Sequence, residues 1–432
     1  MERVGRSVAR AGGFVALVAG MVPHLRERTL QRIAWRNVWR NPRRTAIVVM
    51  AVAVGIGGAV LTMAINFGMV IQMVETAIAT DLGHVQAHAP GWVDDPGIDH
   101  RLPAGGAAVT DRLAGLAHVL AFASRVRGQA LVFSPRASAG VALVGVEPGR
   151  EVRVTVIAAS ITSGAYLDGQ PRRALIGETL ARRLHVAVGD KIVVSVQDAS
   201  GDLTGEAFRV QGLFRTASRD FDGGNAFVAL AEAQALYGIG DDVSEVVVVA
   251  EHRSQVDGLR DALAAAVGGA ARVRSWDETQ PMLRYMVDLF DQVGWIVYAA
   301  VFVAMAFGIA NVMLMAVHER IREIGIVMAV GMHPDRLVAL VCIESLVLTA
   351  LGLAVGLALA LGGVAALHQG IDLSRWAEGL EAYGIGTRIV PTLRRDDLTV
   401  PVLAAIVTAV LASLWPAVRA ARLRPAEAVR QG

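Results

Sequence analysis

Residues 318–334 read HERIREIGIVMAVGMHP, a cluster of alternating charges set between two of the longest apolar runs in the chain. Before it, Gln292 to Val317 carries no charged residue, and after it neither does Ser345 to Gly370. Two further runs, Thr45 to Val74 and Leu398 to Val418, share this property. Each reaches the roughly 20 apolar residues that cross a bilayer as a helix. The charged cluster is therefore a short loop between spanning helices, and the fold class follows: a membrane α-helical protein with four transmembrane helices. The composition agrees, with 54% hydrophobic and 19% charged residues in a chain of 432.

Arginine placement sets the orientation. Arg36, Arg40, Arg43 and Arg44 precede the first span, Arg320, Arg322 and Arg336 separate the second from the third, and Arg419, Arg422, Arg424 and Arg430 follow the last. Positively charged flanks stay on the inner side, so both termini are expected in the cytoplasm of a multi-pass inner-membrane protein. The expected division is a cytoplasmic extension with an interfacial helix (1–44), helix 1 with an outward stalk (45–74) and a large outer domain (75–291). Helix 2 (292–317), a cytoplasmic coupling helix (318–338) and helix 3 (339–370) follow. An outer loop (371–399), helix 4 (400–418) and a cytoplasmic tail (419–432) complete the chain. Residues 1–25 resemble a signal peptide only superficially, because an arginine-rich segment facing the cytosol follows them. In QRIAWRNVWRNPRRT (31–45), Trp35 and Trp39 lie among Arg36, Arg40 and other arginines. That pattern suits an amphipathic helix on the inner membrane face, with membrane lipid as its partner; the alternative is a solvated basic tail.

The outer segment has the mixed signals of an α+β domain. ALVGVEP, KIVVSV, EAFRVQGLF, NAFVAL and EVVVVA read as strands, and ETLARRL, LAEAQALYG and VDGLRDALAAAV as helices. Both flanking spans continue their helical period past the bilayer, through Met69, Met73 and Thr76 on one side and Met282, Met286 and Leu289 on the other. A helix from Thr45 to about Thr80 would be roughly 50 Å long against a hydrocarbon core of about 30 Å, so a projecting stalk is expected.

Within residues 318–334, Ile321, Ile324 and Met328 share one helical face while Glu319, Arg320, Arg322 and Glu323 cover the other. Gly331 suits a helix stop and Pro334 the first turn of the next helix. The result is a short amphipathic helix on the cytoplasmic side, with a solvated loop as the plain alternative. Gly55, Gly57, Gly58, Gly352 and Gly356 permit close helix approach, either in a dimer or within the four-helix set. Asn66 and Asn311 are polar groups suited to bonding across a helix interface, and Glu344 in the third span invites a salt bridge to a nearby arginine.

ERIREIGIVMAVGMHPDRLVALVCIESLVLTALGLAVG (319–356) resembles the signature of FtsX/MacB-type permeases, and PAVRAARLRPAEAVR (416–430) is similar to their ending. LGHVQAHAPGW (82–92), LVGVEPGREVRV (143–154), LIGETLARRLHVAVGDKIVV (175–194) and FRVQGLF (208–214) look like the LolC/LolE branch, permeases that release lipoproteins. The resemblance implies a mechanotransducing ABC transporter. In it, Glu319, Arg320, Arg322, Glu323, Gly325 and Gly331 would form the surface on which a cytosolic ATPase docks. It further implies a second permease copy, as a homo- or heterodimer, and a lipoprotein or other periplasmic partner. It also leaves two alternatives: a regulator of a periplasmic cell-wall hydrolase, and an efflux permease working with an adaptor protein. One departure concerns the hairpin SVQDASGDLTGEAFRV (195–210), which has no proline where LolC-type permeases carry a proline-containing hook for a lipoprotein carrier.

Other chemistries find little support. No G-x-x-x-x-G-K-[ST] occurs, and Lys191 is the sole lysine, so ATP and Mg are expected on a partner chain and no cofactor on this one. HERIRE begins like H-E-x-x-H but has Arg322 where the second histidine would stand, so no catalytic residue is assigned. His84, His88 and His100 lack the donor pattern of a metal centre, and no metal is expected. Cys342 is the one cysteine, inside an apolar run, and a net charge of +2 points to no nucleic-acid partner.

Overall fold

The computed structural model describes residues 20–92, 97–377, 379 and 386–422. Most of the N-terminal extension (1–19) and of the C-terminal tail (423–432) lies outside them, including Arg424 and Arg430. The chain divides into two compact units, one of residues 1–68, 289–371 and 390–432, the other of 69–288 and 372–389.

The first unit is helical. Helix α1 spans Arg28–Arg40, α2 Pro42–Ala77, α3 Pro281–Glu319, α4 Ile321–Ala329, α5 Pro334–Ala366 and α6 Asp396–Ala421. Four of them, α2, α3, α5 and α6, are long and apolar enough to cross a membrane. Pro42 and Pro334 stand at the starts of their helices, where a missing backbone N–H costs nothing. The expected boundaries move accordingly. The third long helix starts at Pro334, not 339, and the short helix shrinks from 318–338 to Ile321–Ala329. At the intervening Gly331, φ is +107°, a left-handed value that ends the helix and turns the chain. The unit's core gathers Val52, Ile56 and Val60 of α2, Met305, Ile309 and Met313 of α3, and Val338, Cys342 and Leu348 of α5 with Ala405 and Ala409 of α6.

The second unit is an α+β domain around a ten-stranded sheet. Its strands are β1 Val85–His88, β2 Val119–Phe133, β3 Ser138–Val146, β4 Ile161–Gly164, β5 Arg173–Gly177, β6 Lys191–Gln197, β7 Leu203–Phe214, β8 Asn225–Ala229, β9 Glu245–Ala250 and β10 Arg272–Ser275. They lie in the order β10-β1-β9-β2-β3-β8-β5-β7-β4, with β6 paired to β2 and β7. All five sequence-read strands fall on β3, β6, β7, β8 and β9, and the three helices on Glu178–Leu184, Leu230–Tyr237 and Val256–Val267. Along β2, Val126, Ala130 and Val132 point into the core while Leu131 and Phe133 face out, the period-two alternation of a half-covered sheet. The helices close the core by burying Leu180, Leu184, Leu236, Leu259 and Leu263.

Candidate docking site on the helical unit

Between α3 and α4 the backbone breaks at Arg320, whose φ of −113° and ψ of 16° are not helical. That break turns the guanidinium inward. Arg320 is buried, with Nη1 donating to Glu344 Oε1 at 3.1 Å and Nη2 to the Asn37 carbonyl at 3.3 Å. Glu344 also accepts from Asn37 Nδ2 at 2.5 Å. An unpaired carboxylate inside a spanning helix would be costly; here it has two partners from other elements. The expected salt bridge of Glu344 is thus present.

The two glutamates of the cluster are engaged as well. Glu323 accepts both arms of the Arg40 guanidinium at 2.9 Å each, a fork-on-fork geometry. That bond holds the Glu323 carboxyl below the usual range. Glu319 accepts from Arg44 Nη1 at 3.1 Å. Of the expected charged surface, Glu319 and Glu323 are exposed though paired, whereas Arg320 is buried and does not face outward. Arg40 and Arg44 pair with these exposed glutamates, while Arg320 supplies the partner without which the buried Glu344 carboxylate would be left uncompensated. Arg322 remains exposed, and Gly325 is buried against the bundle.

What α4 does present is apolar. Ile324 and Met328 pack onto the core as expected. On the outer side Ile326 is 50% exposed, Val327 41% and Val330 85%. Behind this stripe lies a cleft of about 200 Å³, lined by Ile33, Met313, Ile324, Val327, Leu340 and Glu344 among others. Such an arrangement offers an exposed apolar ridge on the same short segment as the exposed Arg322.

Helix α1 is amphipathic as read. Leu30, Ala34 and Val38 are buried, whereas Trp35, Arg36, Trp39 and Arg40 are exposed. The two indoles meet edge-to-face with centroids 5.8 Å apart. Sequence reasoning missed that α1 and the start of α2 reach three neighbours: Asn37 bonds Glu344 of α5, Arg40 bonds Glu323 of α4, and Arg44 bonds Glu319 at the end of α3. The spacing of four between Arg36, Arg40 and Arg44 hinted at a common face, but nothing local named their partners.

The glycines separate into two groups. A Cβ on Gly57 would lie 2.9 Å from the Gly356 carbonyl oxygen, and one on Gly356 would lie 2.8 Å from that of Ala53. At Gly352 it would meet Val52 Cβ at 2.6 Å. These three let α2 and α5 approach within the chain. Gly55 makes only ordinary contact with Val301, and Gly58 faces open space. Asn66 donates to the Phe290 carbonyl at 3.2 Å, a bond from α2 to α3.

The outer-domain histidines have local roles. His84 Nδ1 accepts from the Ala250 amide at 3.3 Å, and His88 stacks on Trp92 with ring centroids 3.7 Å apart. Burial lowers the pKa of both imidazoles. Among the described residues no group of three or more His, Cys, Asp or Glu is placed to hold a metal ion.

Against known proteins, residues 45–266 match the MacB-like periplasmic core domain and residues 295–425 the FtsX-like permease C-terminal family. The lipoprotein-releasing system transmembrane protein LolC of Xylella fastidiosa (strain Temecula1 / ATCC 700964) is 24% identical, the alignment covering 88% of this chain and 92% of that protein. LolC of Neisseria meningitidis serogroup B is 23% identical over 89% of this chain and 94% of its own length. The macrolide export ATP-binding/permease protein MacB of Chlorobium luteolum is 25% identical over 92% of this chain, which spans 59% of that longer protein. A solved periplasmic region of MacB from Actinobacillus actinomycetemcomitans aligns with a TM-score of 0.35 at 11% identity, covering 49% of this chain and 97% of that one. The α+β unit between the first two spanning helices is thus the MacB-like periplasmic domain, and the chain belongs to the FtsX/MacB-type permeases, multi-pass proteins of the inner membrane.

Proposed function

We propose that this chain is the membrane subunit of an ABC transporter that extracts lipoproteins from the inner membrane, driven by an ATPase on a separate chain. The carrying observation is the exposed apolar ridge of Ile326 and Val327 on α4 and Val330 just past its end, on a helix whose Ile324 and Met328 pack onto the core and whose Glu323 pairs with Arg40 of α1. A short helix seated on its neighbours by this packing moves them when it is pushed. An exposed apolar stripe beside the exposed Arg322 fits a hollow on a partner protein, as the interior of an interface requires. In this reading α4 and both termini face the cytosol, ATP and Mg reside on the partner, and two permease copies pair. Lipoprotein as the substrate is supported by the alignment with LolC proteins along most of both chains.

Purification from native membranes in mild detergent tests the ATPase link. The wild-type chain is expected to bring down an ATP-binding subunit in stoichiometric amount. Val330→Asp, which places a charge on the most exposed residue of the ridge, is expected to lose that subunit and keep its melting temperature. Retention of the ATPase by Val330→Asp would overturn the docking role. Substrate is tested by reconstituting the complex in proteoliposomes with a triacylated lipoprotein and following its ATP-dependent release. The similarity to macrolide and pyoverdine export permeases favours efflux as the second reading, and transport of a small molecule without lipoprotein release would establish it.

A further inference from the structure

In the periplasmic domain, the end of α2 carries a concentration of buried charge that the docking site does not use. The α-helix Pro42–Ala77 continues into one π turn, Ile78–Leu82. Arg125 and Arg127, both on β2, reach this turn. Arg125 is 1% exposed and grips Glu151, itself 1% exposed, through Nη2 at 2.7 Å and Nε at 3.1 Å. Its Nη1 donates to the backbone carbonyl of Asp81 at 2.6 Å and lies 3.5 Å from Glu245 Oε1. Arg127 pairs with the Asp81 carboxylate and with Glu245 at 3.4 Å. Burial alone would raise the Glu245 carboxyl, but Arg127 and Arg125 outweigh it and hold the group below the usual range.

Backbone bonds tie the same turn down. The Val156 amide donates to Ala79 O at 2.9 Å, and the His84 amide to Val248 O on β9 at 2.9 Å. Gly83 closes the turn at φ +59°, with so little room that a Cβ would lie 2.4 Å from Val247 Cγ1. Charges this deeply buried are tolerable only when geometry and partners are held fixed. Each residue of the set therefore resists rotation of the helix end against the sheet.

The start of α3 in the same domain is built differently. Gln280 is non-helical, with φ −121° and ψ 79°, between the short helix Trp276–Thr279 and Pro281. Around it the ion pairs are more open: Arg284, 58% exposed, pairs with Asp277, 24% exposed, and with Asp288, 60% exposed. Exposed pairs of this kind constrain little.

We propose that Arg125 and Arg127 form a rigid joint welding the outer end of α2 to the sheet, so that this helix end keeps its place on the sheet while the start of α3 swivels at Gln280. Arg125 and Arg127 are thus positioning residues for force transmission, a role that rests on the transporter reading above. The joint itself is a property of the domain and can be tested apart from that reading.

Two measurements on the full chain separate them. In the first, amide hydrogen exchange over residues 78–84 is compared between wild type and Asp81→Ala. This variant removes a partly exposed carboxylate and leaves the Arg125–Glu151 pair intact, so the domain folds. Exchange is expected to quicken by about tenfold or more, the weight of a hydrogen bond to a charged group; unchanged exchange would overturn the joint. In the second, spin labels replace exposed residues in a Cys342→Ala background: Glu75→Cys with Gln129→Cys across the joint, and Gln129→Cys with Tyr285→Cys across Gln280. With the copurified ATPase, ATP is expected to shift the 129–285 distance and leave the 75–129 distance single and unchanged. Equal shifts in both pairs would overturn the joint. Shifts in neither, with the Asp81→Ala effect present, would retain the joint and overturn the coupling reading.

Discussion

Replacing Arg320 by methionine gives the sharpest test of how the 318–334 cluster works. The side chains of Arg320 and Glu344 are 10% and 7% exposed and 3.1 Å apart. Removing the guanidinium leaves Glu344 in the middle of a packed helix with only the Asn37 amide as partner. Breaking a buried pair from one side costs about 3–5 kcal/mol. The Arg40–Glu323 pair looks better by distance, but its side chains are 53% and 56% exposed, which limits its worth to about 0–1 kcal/mol. Burial, not bond length, decides the ranking. Thermal melting of the detergent-solubilised chain, followed by size-exclusion chromatography, is expected to show Arg320→Met falling by about 10 °C. Arg40→Ala should fall by about 2 °C at most, and Arg322→Ala should melt as wild type. Removing both charges, as Arg320→Met with Glu344→Leu, should recover most of the loss, because a well-packed apolar pair replaces a buried ionic one at little net cost. The reasoning is refuted if Arg320→Met melts like wild type yet no longer captures the ATPase, since the guanidinium would then belong to the docking face.

Two further perturbations probe other parts of the chain. Gly356→Leu pushes a side chain into the Ala53 backbone 2.8 Å away and is expected to cost about 1–3 kcal/mol, whereas Gly58→Leu, facing open space, should leave melting unchanged; equal effects would place Gly58 in an interface. In the periplasmic domain, Asp222 is buried and burial pushes its carboxyl up from 3.8 to about 6. Between those values the folded chain holds a proton that the unfolded chain has released, so this group's contribution is fully present below about pH 4 and lost as pH rises through 6. Asp222→Asn is therefore expected to gain on wild type by about 2–3 kcal/mol at pH 7.5, with the difference closing below pH 4 in a melting series; a constant difference would assign the effect to the Thr216 hydrogen bonds.

Much of this architecture is written locally. Four uncharged runs of this length read as spanning helices, since in lipid a single segment meets its own backbone hydrogen bonds only as a helix. Period-two runs such as EVVVVA and the punctuated helix ETLARRL carry their element type in a window of a few residues. The longest strand escaped that reading because Arg125, Arg127 and Gly128 interrupt its apolar alternation, and those arginines make sense only beside Asp81, Glu151 and Glu245 from other elements. The same holds for the docking site. Its place between two spans could be read from the uncharged runs on either side, and its short helix and stop at Gly331 from residues 318–334 themselves. Which charges face outward could not, because Arg40 lies 283 residues from Glu323 and Glu344 lies 24 from Arg320. Periodicity reports which face of an element is apolar, through neighbours one turn apart. The partner of a charged side chain is set by where distant elements come to rest, and only the tertiary structure decides that.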